Sequence, residues 1–229
     1  MKRTSYPSRD YQIEEMTRGI QLPIPPMQRR HLQVIAEFLT AAWNSLMKTQ
    51  EKILLTKEEV EINTLMKSCL DNIRPEKGDW SMLVSAVNRG AESINYNGSA
   101  LENRPDLSLH LTNGFSRFPL IIECKLIDKK KKKGADLYCK DGLARFIDGE
   151  YAWYAHEAFM LAYVRDGATT GNCIKPYLDR KSKKEPDPFL TKQLPQPEPF
   201  PVQDLATSCH ERRFPKNPGA IDIWHLWLS

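Results

Sequence analysis

The chain has 229 residues, 41% of them hydrophobic and 27% charged, which is the composition of one globular domain and excludes a disordered or fibrous chain. Lys and Arg number 33 against 29 Asp and Glu, a net charge of +4 that identifies no partner by itself. No apolar run approaches the ~18 residues that cross a bilayer, and Met1-Lys2-Arg3-Thr4-Ser5-Tyr6-Pro7 has no apolar core behind its charges, so a cytoplasmic protein is expected.

In chain order, residues 1–27 read as poorly packed, with Pro23, Pro25 and Pro26 interrupting any helix. From Gln28 to about Lys48, Leu32, Ile35, Ala36, Leu39, Ala42, Trp43, Leu46 and Met47 recur at helical spacing and predict a packing helix. This places an N-terminal extension with its helix at 1–50 and the main domain at 51–229. Thr56 and Glu59 match the S/T-x-x-E capping box. They predict a second helix with Ile62, Leu65, Met66, Cys69 and Ile73 on its buried stripe, closed by Pro75. Capping accounts for Glu59 and the helix dipole favours Glu58. Glu61, beside the stripe, has no such local role.

Residues 79–127 read as strands. Trp80 to Val87 is a mostly apolar run, and a loop follows from Asn88 to Asn103. In the next segment Leu107, Leu109 and Leu111 face one way, and Asp106, Ser108 and His110 the other. After the Asn113-Gly114 turn signal, the returning strand sets Leu120, Ile122, Cys124 and Leu126 opposite Ile121, Glu123, Lys125 and Ile127. The lysine run Lys129, Lys130, Lys131, Lys132 and Lys133 reads as a solvated loop. A helical region is expected from Leu143 to Val164, broken or bent at Gly149 and including His156 and Glu157. The Pro-rich stretch 185–201, within a loop-like region from 181, is expected to be an arm without regular structure. Ala220 to Leu228 is expected to be a strand. Five scattered cysteines with no CxxC spacing predict free thiols and no zinc site.

The chemistry lies on the two paired strands. Glu123 and Lys125, two apart, project from one face. Asp106 falls opposite Glu123 if the turn centres between Gly114 and Phe115, and diagonal to it if the turn is tighter. Two carboxylates side by side repel, and a divalent Mg²⁺ or Mn²⁺ would relieve them. Such an ion would also acidify water and polarise a phosphoryl oxygen, with Lys125 balancing charge in the transition state.

Pro105-Asp106 followed by Glu123-Cys124-Lys125 resembles the PD-(D/E)XK signature of restriction-endonuclease-like nucleases, over roughly residues 56–165. The resemblance implies an α/β fold whose central mixed sheet is flanked by helices, with an α-β-β-β-α-β core. Asp106 and Glu123 would be metal ligands and Lys125 the catalytic lysine. The preceding helix would add an acid, Glu61 with Glu58 in reserve. Gly142-Leu143-Ala144-Arg145-Phe146 with Gly149-Glu150-Tyr151 resembles that family's helix after the motif, where Arg145 could touch the nucleic-acid backbone or orient the site.

The resulting expectation is a Mg²⁺-dependent deoxyribonuclease, with Lys129 to Lys133 contacting DNA phosphates and RNA left open. No base-reading module is recognisable, so a targeting partner or self-assembly is expected. Family analogy points to a prokaryotic (antiviral) defence effector or a restriction-type subunit. The competing expectation is a non-catalytic binding or assembly protein, contacting its partner through the first helix and the Pro-rich segment. His110 reads as structural, His210, Arg212 and Arg213 as a surface cluster, and Cys124 as core.

Overall fold

The computed structural model describes residues 14–15, 17–73, 78–91, 96, 104–112, 118–200, 204–215 and 217–229. The Asn113-Gly114 turn and most of the 88–103 loop lie outside them. Helix α1 (Arg29–Thr56) follows Pro25 and Pro26 and holds no proline or glycine. Its residues Leu32, Ile35, Ala36, Leu39, Ala42, Trp43 and Leu46 are all buried, as the periodicity predicts. It outlasts the expected end near Lys48, passing a distorted Gln50 and burying Leu54.

Helix α2 (Glu59–Ile73) sets Ile62, Met66 and Leu70 into the same core. The capping box is not formed. Thr56 ends α1, and its hydroxyl donates to Lys52 O at 2.6 Å. Residues 80–83 correct the expected strand. Trp80 and Leu83 are buried while Ser81 and Met82 between them are exposed, a helical spacing, and Gly78–Leu83 is the short helix α3.

Among the described residues seven strands then form one sheet: β1 (Val84–Arg89), β2 (Leu107–Leu111), β3 (Leu120–Ile127), β4 (Glu157–Val164), β5 (Thr191–Pro197), β6 (Leu205–His210) and β7 (Ile221–Leu228). Their order is β1-β2-β3-β4-β7-β6-β5. The central strands β3, β4 and β7 are mutually parallel, and the flanking pairs are antiparallel. Strand β4 corrects the expected helix. Its eight residues are all buried, because Phe159, Leu161 and Tyr163 enter the core on one face and Ala158, Met160, Ala162 and Val164 the core on the other. An unbroken apolar run is what a parallel strand covered on both sides requires.

Helices α1, α2 and α3 cover the first face. The second is covered by α4 (residues 135–147), a continuous helical segment with a π turn at Cys139–Leu143, and by α5 (Lys175–Ser182). Gly149 then takes φ +76°, which reverses the chain after α4 as its glycine implied. Ile20, Leu22 and Ile24 pack on the second core, so residues 20–24 are not loose as expected. The Pro-rich stretch contains strand β5, and Pro195 and Pro197 are accommodated because β5 is an edge strand. The expected C-terminal strand is present as β7, between β4 and β6. Strand β6 was not foreseen. All five cysteines are free thiols. Among the described residues no helix is long and apolar enough to cross a membrane.

Candidate active site

Strands β2 and β3 pair as Leu107↔Ile122, Ser108↔Ile121 and Leu109↔Leu120. Extended by one residue, this register sets Asp106 against Glu123, the first of the two arrangements the sequence allows. There the ladder stops, and the backbone edge of β3 from Cys124 onward needs other partners. Carboxylates supply them. Cys124 N donates to Asp106 Oδ2 at 2.8 Å, and Leu126 N donates to Glu59 Oε2 at 2.7 Å.

Lys125 lies among these acids. Its Nζ is 2.7 Å from Glu123 Oε1, 3.4 Å from Glu59 Oε1 and 4.0 Å from Asp106 Oδ2, and it donates to Cys124 O at 3.0 Å. Burial opposes its charge, yet Glu123, Glu59 and Asp106 together hold its pKa above the usual lysine value. It is therefore a fixed ammonium and no general base.

Glu123 is the deepest member. Burial, with the charge of Asp106, pushes its carboxyl up to about 7 against the pull of Lys125 and Arg145. Burial also raises Asp106, opposed by Lys125 and by the Cys124 N–H. Glu123 Oε2 is buried with no hydrogen-bond partner among the described residues. Arg145 Nη1 stands 3.5 Å from Glu123 Oε1, donates to Tyr151 OH at 2.7 Å and stacks over that ring.

The helix carboxylate is Glu59, a correction to the expected Glu61. Glu61 is exposed and lies two residues along the helix, some 200° around the axis from Glu59. Glu58, the reserve choice, turns outward to Lys131 and Lys133. The sequence signal for Glu59 was its spacing: 59, 62, 63, 66 and 70 form one face. That face also brings Asn63, unforeseen, to Asp106 Oδ1 at 2.8 Å, with Tyr163 OH donating to Asn63 Oδ1.

No family model matches this chain, no curated protein matches it, and no solved structure matches it.

A cleft of about 180 Å³ opens beside Lys125, lined by Glu59, Leu126, Lys133, Leu137, Tyr138 and Asp141. The lysine run is solvated as expected, Lys129 to Lys132 being exposed, and it folds as a defined turn. Lys129–Lys131 form a 3₁₀ turn capped by the Asp128 side chain, and Asp128 and Lys133 exchange backbone hydrogen bonds. The expected surface cluster is only partly superficial. His210 and Arg212 are buried, His210 binding Phe189 O and Ser208, and Arg212 the carbonyls of Ala152, Trp153 and Ala155. Arg213 remains outside, 3.0 Å from Asp148.

Among the described residues, no three His, Cys, Asp or Glu side chains converge as a ready-made metal cage. A hydrated Mg²⁺ needs less, one or two carboxylates with water completing its shell. Asp106, the partnerless Oε2 of Glu123 and the Cys124 carbonyl fit that donor set. The charge also fits: with Glu123 ionised, three carboxylates face two cations, Lys125 and Arg145, which leaves one negative charge for a further cation.

Proposed function

We propose that the protein is a metal-dependent nuclease that hydrolyses phosphodiester bonds of DNA. The observation that carries this reading is the meeting of Asp106, Glu123, Glu59 and Lys125 where β2 and β3 part, with one buried carboxylate oxygen left unsatisfied. The order of elements over residues 59–164 supports it. Setting the short α3 aside, a helix, three strands, a helix and a strand follow one another, as the PD-(D/E)XK resemblance implies.

A divalent ion on Asp106, Glu123 and the Cys124 carbonyl would supply Lewis acidity toward a phosphoryl oxygen. The side chains do the rest. Asn63 and the Cys124 N–H fix Asp106 in orientation. Lys125, permanently charged, can turn one of its three N–H donors, that of the long 3.4 Å bond to Glu59, to an attacking water or a non-bridging phosphate oxygen, and so stabilise charge that develops in the transition state. Glu59 keeps that ammonium over the cleft. With no base-reading module, targeting falls to a partner subunit or to self-assembly. A role in defence rests on family analogy alone.

The test is to incubate the protein with plasmid and linear DNA, with Mg²⁺, with Mn²⁺ or with chelator. Cutting is expected only with metal and is expected to vanish in Asp106→Ala and Lys125→Ala. Undiminished cutting by both variants would overturn the assignment.

One observation favours a second reading. The Lys125 ammonium already neutralises Glu123 at 2.7 Å, as it would in a non-catalytic nucleic-acid-binding or assembly subunit that needs no metal. Calorimetry separates the two. Binding of Mn²⁺ that is lost in Asp106→Ala supports the nuclease, and no binding supports the alternative.

A further inference from the structure

Glu58 and Glu59 are adjacent at the start of α2 but serve different neighbours. Glu59 reaches Lys125 and Leu126 N. The two oxygens of Glu58 take Lys131 Nζ at 2.5 Å and Lys133 Nζ at 2.7 Å. Lys133 lines the same cleft as Lys125 and Glu59. The loop that carries both lysines is tightly built. The Asp128 carboxylate accepts from Lys130 N and Lys131 N, the Asp128 and Lys133 backbones bond to each other, and Lys132 closes the turn at φ 58°. Two ammonium groups are thereby aimed at one oxyanion at the rim of the cleft.

A carboxylate and a phosphodiester are alike in what they offer such a pair: one negative charge over two terminal oxygens. Glu58 is half exposed, so it can swing into water without breaking the core. Its two lysines, Lys131 first, hold its carboxyl down at about 2, so it stays an anion at every working pH.

We propose that Lys131 and Lys133 bind a backbone phosphate of the nucleic-acid strand, and that Glu58 is a resident stand-in which this phosphate displaces. The inference rests on reading the cleft as a phosphodiester site, and it selects two of the five lysines. Glu58 would act as a latch, lowering affinity for stray polyanions until a strand also engages the cleft.

The test is fluorescence anisotropy of a labelled DNA oligonucleotide in excess chelator, where binding is read without cutting. Glu58→Gln is expected to bind about threefold tighter, the scale of one or two exposed ion pairs. Lys131→Ala and Lys133→Ala are each expected to bind more weakly, with the salt dependence of log K shallower by about 0.7–0.9. Two controls separate a latch from a general loss of negative charge. Glu61→Gln removes an exposed carboxylate from the same helix and is expected to gain less than Glu58→Gln. In the Lys131→Ala/Lys133→Ala background, Glu58→Gln is expected to gain nothing. Thermal unfolding of each variant confirms that the fold is kept. Binding by the unsubstituted protein with equal gains from Glu58→Gln and Glu61→Gln overturns the latch and leaves the nuclease reading standing. No binding by any variant overturns the phosphate site, and cutting with Mg²⁺ then decides the nuclease reading separately.

Discussion

The Asn63 amide donates to Asp106 Oδ1 at 2.8 Å while its own oxygen accepts from the Tyr163 hydroxyl at 2.8 Å. A buried tyrosine of the central strand is thus tied, through a helix, to the acid beside the Cys124 N–H. Asn63→Ala leaves the hydroxyl and the carboxylate oxygen without these partners. The expected loss is about 1–3 kcal/mol of stability, measured by urea denaturation. Plasmid cutting should slow ten- to a hundredfold, the usual effect of losing a partner of a metal ligand.

Glu59 and Glu61 give a direct comparison on one helix. Glu59→Gln can still accept from Leu126 N but removes a charge beside Lys125. Cutting is expected to slow by about tenfold or more, with the unfolding midpoint nearly unchanged. Glu61→Gln, on the solvent side, is expected to cut at the original rate. Equal effects from the two would show that Glu59 has no special place in the site.

Much of this was legible beforehand, and the reasons are local. The alternation of Leu107 to Leu111 and of Leu120 to Ile127 defines both faces of a paired strand, because slipping one residue would exchange the leucines with Asp106, Glu123 and Lys125. Asp106, Glu123 and Lys125 came together for that reason. Glu59 was misassigned because Thr56-x-x-Glu59 satisfies a local capping rule. A contact with Lys125, 66 residues away, leaves no trace at that range. The strand at 157–164 was hidden because burial on both faces erases alternation. His210 and Arg212 sit among polar neighbours in the sequence; the return of β6 beside β7 encloses the first, and the carbonyls of Ala152, Trp153 and Ala155 hold the second.

Gly149 tests the turn after α4. A Cβ there would lie 2.5 Å from the Phe214 ring, on a backbone at φ +76°. Overpacking costs about 1–3 kcal/mol and the left-handed conformation about 1–2 kcal/mol more. Gly149→Ala is expected to lower Tm by about 5 °C or more, read by circular dichroism. Gly167, also at positive φ but with open space around it, is expected to lose less on the same change.

Acid sensitivity should come from two buried imidazoles. Burial lowers His210 to about 4 and His225 to about 3, whereas both take up protons near 6.5 once unfolded. The unfolded chain binds more protons, so their contribution is whole above about 6.5 and is lost as pH falls through the folded values. Glu123 and Glu157 act in the opposite sense. Burial raises each to about 7 from 4.5, so their contribution is present below 4.5 and fades as pH rises through 7. The two effects oppose each other between about pH 4.5 and 6.5; below that the opposition of Glu123 and Glu157 has gone, and the histidines act together with Glu58, whose carboxyl is held down at about 2. In chelator, Tm is expected to be nearly level across the upper window. It should then drop, by about 2.7 kcal/mol per pH unit while both folded imidazoles stay neutral and by about 1.4 once His210 is protonated near 4. Ring signals of His210 and His225 that titrate near pH 6.5 in the folded protein would contradict this.

Pro195 and Pro197 lie in the outermost strand, whose ladder to β6 is interrupted twice. A strand without those amide hydrogens is a poor template for another chain. The sheet is therefore blunt on that side, while its opposite border strand, Val84–Arg89, carries no proline. If copies of this protein ever join sheet to sheet, the seam belongs at that far border, a short walk across β2 from the acids and the lysine.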